Sequence, residues 1–179
     1  DWSDRNTCVL FGDGAGAAVL GPAKDKEGLL SFYMRSDGSG EDLLQVPAGG
    51  SRLPATHQTV AEGLHFIKMK GNEIFKLAVR AMVSSADQAL AKAGLTRADI
   101  DWVVPHQANL RIIWAMTQRL EVDRSKVVIT LDHHGNTSAA SIPLALAEGI
   151  ERGDLKKDQI ILLTGFGAGL TWGSAVLRL

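Results

Sequence analysis

A histidine, an asparagine and a glycine-rich turn, each just after an apolar run, are the groups of this chain best suited to proton and anion chemistry. His106 follows Val103-Val104-Pro105. Asn136 sits within Asp132-His133-His134-Gly135-Asn136-Thr137-Ser138, and a third run reads Gly165-Phe166-Gly167-Ala168-Gly169. An imidazole can donate, accept or carry a proton near neutrality, whereas a carboxamide cannot ionise and stays an N–H donor at any pH. Neither residue decides its own role. A histidine at a strand end also suits a purely structural place, and the asparagine could be a helix cap or turn residue.

Three other candidates carry less. His133 and His134 with His106 match no zinc spacing, and the one cysteine, Cys8, is remote, so no metal site is expected. Gly12-Asp13-Gly14-Ala15-Gly16 resembles a phosphate loop but lacks the Lys-Ser/Thr ending and precedes a strand-like run, so it reads as a hairpin turn. Cys8 lies in an apolar run with no neighbouring histidine and reads as an inert thiol.

The elements that must position these groups follow from periodicity. Residues 65–70 read as a short strand. From Asn72 to Ala93, Ile74, Leu77, Ala78, Ala81, Met82, Ala89 and Leu90 recur at helical spacing, and Gly94 supplies a stop. Residues 101–104 form a strand closed by Pro105. Leu110, Ile113, Met116 and Leu120 share one helix face, which Asn109 can cap. Residues 126–130 are β-branched and short, hence a strand. Thr137 or Ser138 can start a third helix running to about Arg152, with Pro143 kinking it and Gly153 after it. Residues 159–163 and 170–179 complete the series as strands. The order βαβαβαββ calls for a mostly parallel, helix-covered α/β sheet whose strand ends gather the three polar segments on one edge.

The opening of the chain repeats the close of that series. Residues 7–11, the Gly14-Ala15-Gly16 turn and residues 17–20 mirror 160–163, 167–169 and 175–177. This suggests two copies of one unit, the first represented only by its last strands, or else two unrelated hairpins. The expected division is residues 1–45 as terminal strands of the first half, 46–62 as a Gly- and Pro-containing connector, and 63–179 as the second half.

Composition narrows the classes. The 179 residues are 45% hydrophobic and 22% charged with a net charge of −1, which suits a packed globular domain and neither a nucleic-acid binder nor a disordered segment. No run approaches the ~20 apolar residues of a membrane span, and a single cysteine fits a reducing, cytoplasmic setting. The opening Asp1-Trp2-Ser3-Asp4-Arg5, with no initiator methionine, leads to the expectation that the chain is part of something longer.

Five segments in order resemble the β-ketoacyl-acyl-carrier-protein synthase III family of thiolase-like condensing enzymes. They are Phe-Gly-Asp-Gly-Ala-Gly-Ala at 11–17, Gly-Asn-Glu-Ile-Phe-Lys at 71–76, Val-Pro-His-Gln-Ala-Asn at 104–109, His-Gly-Asn-Thr-Ser-Ala-Ala-Ser at 134–141 and Phe-Gly-Ala-Gly at 166–169. The resemblance implies a thiolase-like fold and a decarboxylative condensation of acyl-CoA with malonyl-acyl-carrier protein, an acyltransferase reaction that needs no cofactor. It places His106 and Asn136 as the His and Asn of a Cys-His-Asn triad. Asn72, Phe75, Ala108 and Asn109 match a CoA/pantetheine tunnel. The Ala168 N–H matches a backbone donor to the acyl carbonyl, at a position where the family often has glycine, and Phe166 would pack beside the catalytic groups. Arg111 and Lys76, with Arg80 and Arg119, could meet an acidic carrier protein or simply form a solvated face.

The family cysteine would precede Asp1, so this polypeptide alone is expected to be inactive, and the intact protein is expected to be a homodimer. Two other readings stand beside this one. One is a different thiolase-like condensing enzyme, of polyketide or quinolone type; the other is a non-catalytic half-protein acting as a partner module.

Overall fold

In a computed structural model, which describes residues 1–23 and 27–179, the site rests on a four-stranded mixed sheet between helices. The strands and helices are β1 (Gly28–Ser36), β2 (Leu44–Gln45), α1 (His57–Ala61), β3 (Lys68–Met69), α2 (Gly71–Lys92), β4 (Trp102–Pro105), α3 (Leu110–Leu120), α4 (Leu131–His134), α5 (Ser141–Glu151), β5 (Ile160–Gly167) and β6 (Thr171–Arg178). Strand order is β1-β6-β5-β4, and β2 and β3 form a separate small pair.

The sheet is less parallel than the element order implies. Only β4 and β5 run parallel; β5–β6 and β6–β1 are antiparallel. The short turn between β5 and β6 permits nothing else, because parallel neighbours need a long crossover. Alternation along the strands then sets the two core faces. Val103, Leu162 and Val176 point toward α2 and α3, where Met82, Ile113, Met116 and Leu120 are buried. Val104 and Ile161 point the other way, toward Ala145 of α5 and Leu155.

The two long helices lie where the periodicity puts them. Burial in α2 falls on Ile74, Ala78, Val79, Met82, Ala86, Ala89 and Leu90, and Gly94 follows at φ +69, a left-handed turn that suits glycine. Asn109 caps α3, its side chain accepting the Arg111 N–H at 2.8 Å.

Elsewhere the structure corrects the sequence. Residues 7–10 form turns, and 12–20 make no strand; Val19 and Leu20 are fully exposed. No strand among the described residues lies beside them, and a lone hairpin has too little to bury. The edge of β6 is taken instead by β1, whose irregular apolar pattern gave no period-two signal. The strand expected at 65–70 pairs only at Lys68–Met69.

The expected strand at 126–130 shrinks to one parallel bridge between Val103 and Val127, because the buried Gln107 side chain takes the Thr130 N–H at 3.0 Å. The third helix starts at Ser141 rather than at Thr137 or Ser138, since Ser138 adopts φ 53 within a short 3-10 turn. Pro143 therefore falls in the first turn of α5, where its missing N–H has no helical partner to lose, and it produces no kink.

Candidate active site

The cleft forms where the carboxyl ends of β4 and β5 meet the amino end of α2. β4 ends at Pro105, and the His106 N–H donates to the Thr164 carbonyl of β5 at 2.8 Å, which fixes the backbone from which the imidazole projects. Gln107 turns inward and is fully buried. Its Nε2 donates to the carbonyls of Pro105 and Val128 while its Oε1 accepts from Thr130, so one side chain laces the His106 loop to the segment entering α4.

The His106 ring is held by Ser141, the first residue of α5. Nδ1 lies 2.6 Å from Ser141 Oγ, and that oxygen also accepts the Gln107 N–H at 3.2 Å. With Oγ already accepting, its own proton is free to go to Nδ1. A serine proton on Nδ1 leaves a neutral ring with its hydrogen on Nε2, a tautomer that this contact permits. Burial lowers the ring below the ordinary histidine range, which favours the same uncharged form. In that form His106 offers an N–H donor from Nε2.

Asn136 is held from both sides. Its backbone N–H donates to the Leu10 carbonyl at 3.0 Å, and its carbonyl accepts the Gly12 N–H at 2.9 Å, a parallel bridge made by the opening segment of the chain. The approach is close: a Cβ at Gly12 would sit 2.0 Å from the His134 carbonyl oxygen. The Asn136 side chain is buried, and its Oδ1 accepts the Ser138 N–H at 3.0 Å. The structural and chemical roles weighed from sequence therefore use different atoms. Oδ1 builds the turn, and Nδ2 has no acceptor among the described residues.

Ten of the residues singled out from sequence line one cleft of about 1140 Å³: His106, Asn136, Phe166, Ala168, Asn72, Phe75, Ala108, Asn109, Lys76 and Arg111. Phe166 stacks on Trp172 with ring centroids 6.5 Å apart, and Arg111 lies over the Phe75 ring at 5.4 Å. Arg80 and Arg119 are not part of the lining, nor is Cys8. Sequence reading missed Ser141, Gln107 and the clamp from Leu10 and Gly12. Only the long-range fold brings these to the site. Among the described residues no helix is long and apolar enough to cross a membrane.

A helix-flanked mixed sheet, with a histidine after one strand and an asparagine on a neighbouring loop, is the architecture of the thiolase-like fold. Residues 90–179 match the family described as 3-oxoacyl-[acyl-carrier-protein] synthase III C terminal, and residues 1–38 match 3-oxoacyl-[acyl-carrier-protein] synthase III. The chain belongs to the 3-oxoacyl-[acyl-carrier-protein] synthase III family.

A β-ketoacyl-[acyl-carrier-protein] synthase III of Roseiflexus castenholzii is 57% identical over 178 residues, which are 99% of this chain and 54% of that protein. A solved 3-oxoacyl-[acyl-carrier-protein] synthase III from Aquifex aeolicus superposes with a TM-score of 0.89 at 44% identity, covering 100% of this chain and 53% of that one. A priming β-ketosynthase from a polyketide biosynthetic pathway gives a TM-score of 0.86 at 38% identity, covering 100% and 53%. The chain spans about half the length of the curated relatives it matches.

Proposed function

We propose that this chain is the C-terminal part of a β-ketoacyl-acyl-carrier-protein synthase III, in which His106 and Asn136 drive decarboxylation of a malonyl thioester. The observation that carries the reading is the cleft itself, which gathers the His106 imidazole and the Asn136 Nδ2, without an acceptor among the described residues, beside the residues matching the pantetheine tunnel.

As CO2 leaves malonyl-acyl-carrier protein, its electron pair passes to the α-carbon and charge grows on the thioester oxygen. His106 Nε2–H and Asn136 Nδ2–H donate to that oxygen, each such donor being worth roughly 3–4 kcal/mol. The carbanion attacks the acyl carbonyl of a cysteine thioester. The Ala168 N–H steadies the resulting oxyanion, and collapse expels the cysteine thiolate. In this reading that cysteine belongs to the full-length enzyme outside these 179 residues. Asn72, Phe75, Ala108 and Asn109 hold the pantetheine arm, while Lys76 and Arg111, exposed at the mouth, meet the acidic carrier protein. The intact enzyme is a cytoplasmic homodimer that takes acyl-CoA as its first substrate. The likeness to the polyketide priming ketosynthase keeps that pathway as the second reading, with the same donors and a different acyl group.

In the full-length enzyme, His106→Ala or Asn136→Ala should cut CO2 release from malonyl-acyl-carrier protein by ~10²–10³-fold. Transfer of labelled acetyl from acetyl-CoA to the cysteine should continue in both variants. Near-normal CO2 release in either one removes that residue from the reaction. The 179-residue polypeptide alone should take up no acetyl label; labelling would place a nucleophile within it.

A further inference from the structure

Outside the cleft lining, three further side chains converge. The Nε2 atoms of His133 and His134 both approach the Glu148 carboxylate, at 3.0 Å and 2.6 Å respectively. One ligand atom from each of the three residues lies within 4.8 Å of the others. His133 Nδ1 is 2.9 Å from Asp132 Oδ1, and Arg152 holds Glu148 Oε2.

The hydrogen accounting for His133 is unusual. A neutral imidazole has one N–H, and here both ring nitrogens face carboxylates. With the Nδ1 hydrogen donated to Asp132, the Nε2 lone pair would point at Glu148, an arrangement satisfied only by a cation between them. A proton supplies one such cation. A metal ion supplies the other.

We infer that His133, His134 and Glu148 form a binding site for a late first-row divalent cation such as Zn2+. Two imidazole nitrogens and one carboxylate oxygen are a donor set that suits Zn2+, Ni2+ or Cu2+ and disfavours Mg2+ and Ca2+, which prefer all-oxygen shells. Adjacent ligands of a tetrahedral zinc with bonds of ~2.0–2.1 Å stand ~3.3 Å apart; the His133–Glu148 separation of 3.0 Å is near that, and the His134–Glu148 pair at 2.6 Å must open to admit the ion. Asp132 acts as the carboxylate that orients a metal-bound histidine, and Arg152 fixes the Glu148 carboxylate from behind. The partial exposure of all three ligands leaves the remaining coordination positions to water.

The proposed site does without His106, whose sequence spacing to His133 and His134 matches no zinc pattern. The fold brings the third ligand from α5. Since α4 carries both histidines and α5 carries Glu148, an ion here clips together the two helices that bracket Gly135-Asn136. The inference does not depend on the proposed condensation chemistry.

Titration calorimetry of the full-length protein, tag removed, with zinc, cobalt and magnesium chlorides tests it. One Zn2+ or Co2+ should bind per chain, with a visible Co2+ absorption band, and Mg2+ should give no heat. His134→Gln and Glu148→Gln should each weaken Zn2+ by at least ~10-fold and abolish the band, Asp132→Asn should weaken it by about tenfold, and His65→Gln should change nothing. No Zn2+ heat at millimolar metal, or equal affinity in the His134 and Glu148 variants, overturns the site.

Discussion

His106 and His133 are set in opposite ways on either side of the same asparagine loop. His106 has one hydroxyl partner and burial that favours its neutral form, whereas His133 lies at the surface between two carboxylates that favour its charged form. The side chain is the same, and the environment makes one a neutral donor and the other a cation or a ligand. The difference teaches that histidine chemistry here is chosen by what faces each ring nitrogen, and that burial and carboxylates push in opposite directions.

The contrast can be broken most severely at Gln107, which ties the His106 loop to the segment leading into α4. Gln107→Leu leaves the Thr130 N–H and two carbonyls without their partner in a dry interior. A loss of ~3 kcal/mol in denaturant unfolding is expected, since each stranded group costs about 1–3 kcal/mol. Loss below ~1 kcal/mol would show that water or a neighbour replaces the amide.

Ser141→Ala should act on one side only. Removing the hydroxyl frees the Nδ1 proton position, and CO2 release should fall about tenfold, the equivalent of ~1.4 kcal/mol for one hydrogen bond. A bond that favours the neutral ring also holds its pKa down, so the acid limb of the rate profile should move to higher pH in this variant. A fall in rate with an unmoved acid limb would leave Ser141 a packing role and nothing more.

The smallest effect is the clearest test of sign. Below the ordinary histidine value of ~6.5, the unfolded chain protonates before the buried His106 does, so this group makes stability fall as pH is lowered. His133 runs the other way. Its folded value is raised, so its contribution is complete below ~6.5 and is lost as pH rises through the folded value. Melting curves between about pH 5 and 8 should show His106→Gln losing less stability than wild type on acidification. In the same range His133→Gln should differ from wild type most at the acid end. Parallel curves for the two variants would erase the contrast.

Much of this arrangement could be read from the sequence, because it is local. The faces of α2 and α3, the Asn109 cap, the Gly94 stop and the β5–β6 pair follow from spacing and turn chemistry within a few residues. The ten cleft residues were reachable because they fall in motifs at strand ends and at the start of α2. What could not be read depends on distant partners. A serine at the end of Thr-Ser-Ala-Ala-Ser gives no sign that it will meet His106, and Gln107 looks like a surface residue until the fold buries it. The opening segment failed as a hairpin for the same reason: its partner is the Asn136 loop and not its own neighbour. Glu148 joined the two histidines only when α5 was laid beside α4.

The narrow gap at Gly12 gives that last pairing a further meaning. One added carbon there meets a carbonyl oxygen of the loop that carries Asn136. The tolerance of this loop to change is thus governed by a residue at the opposite end of the sequence. A side chain at position 12 would have to push the turn before Asn136 aside, so a substitution there should be felt at Asn136 although the two are far apart in sequence.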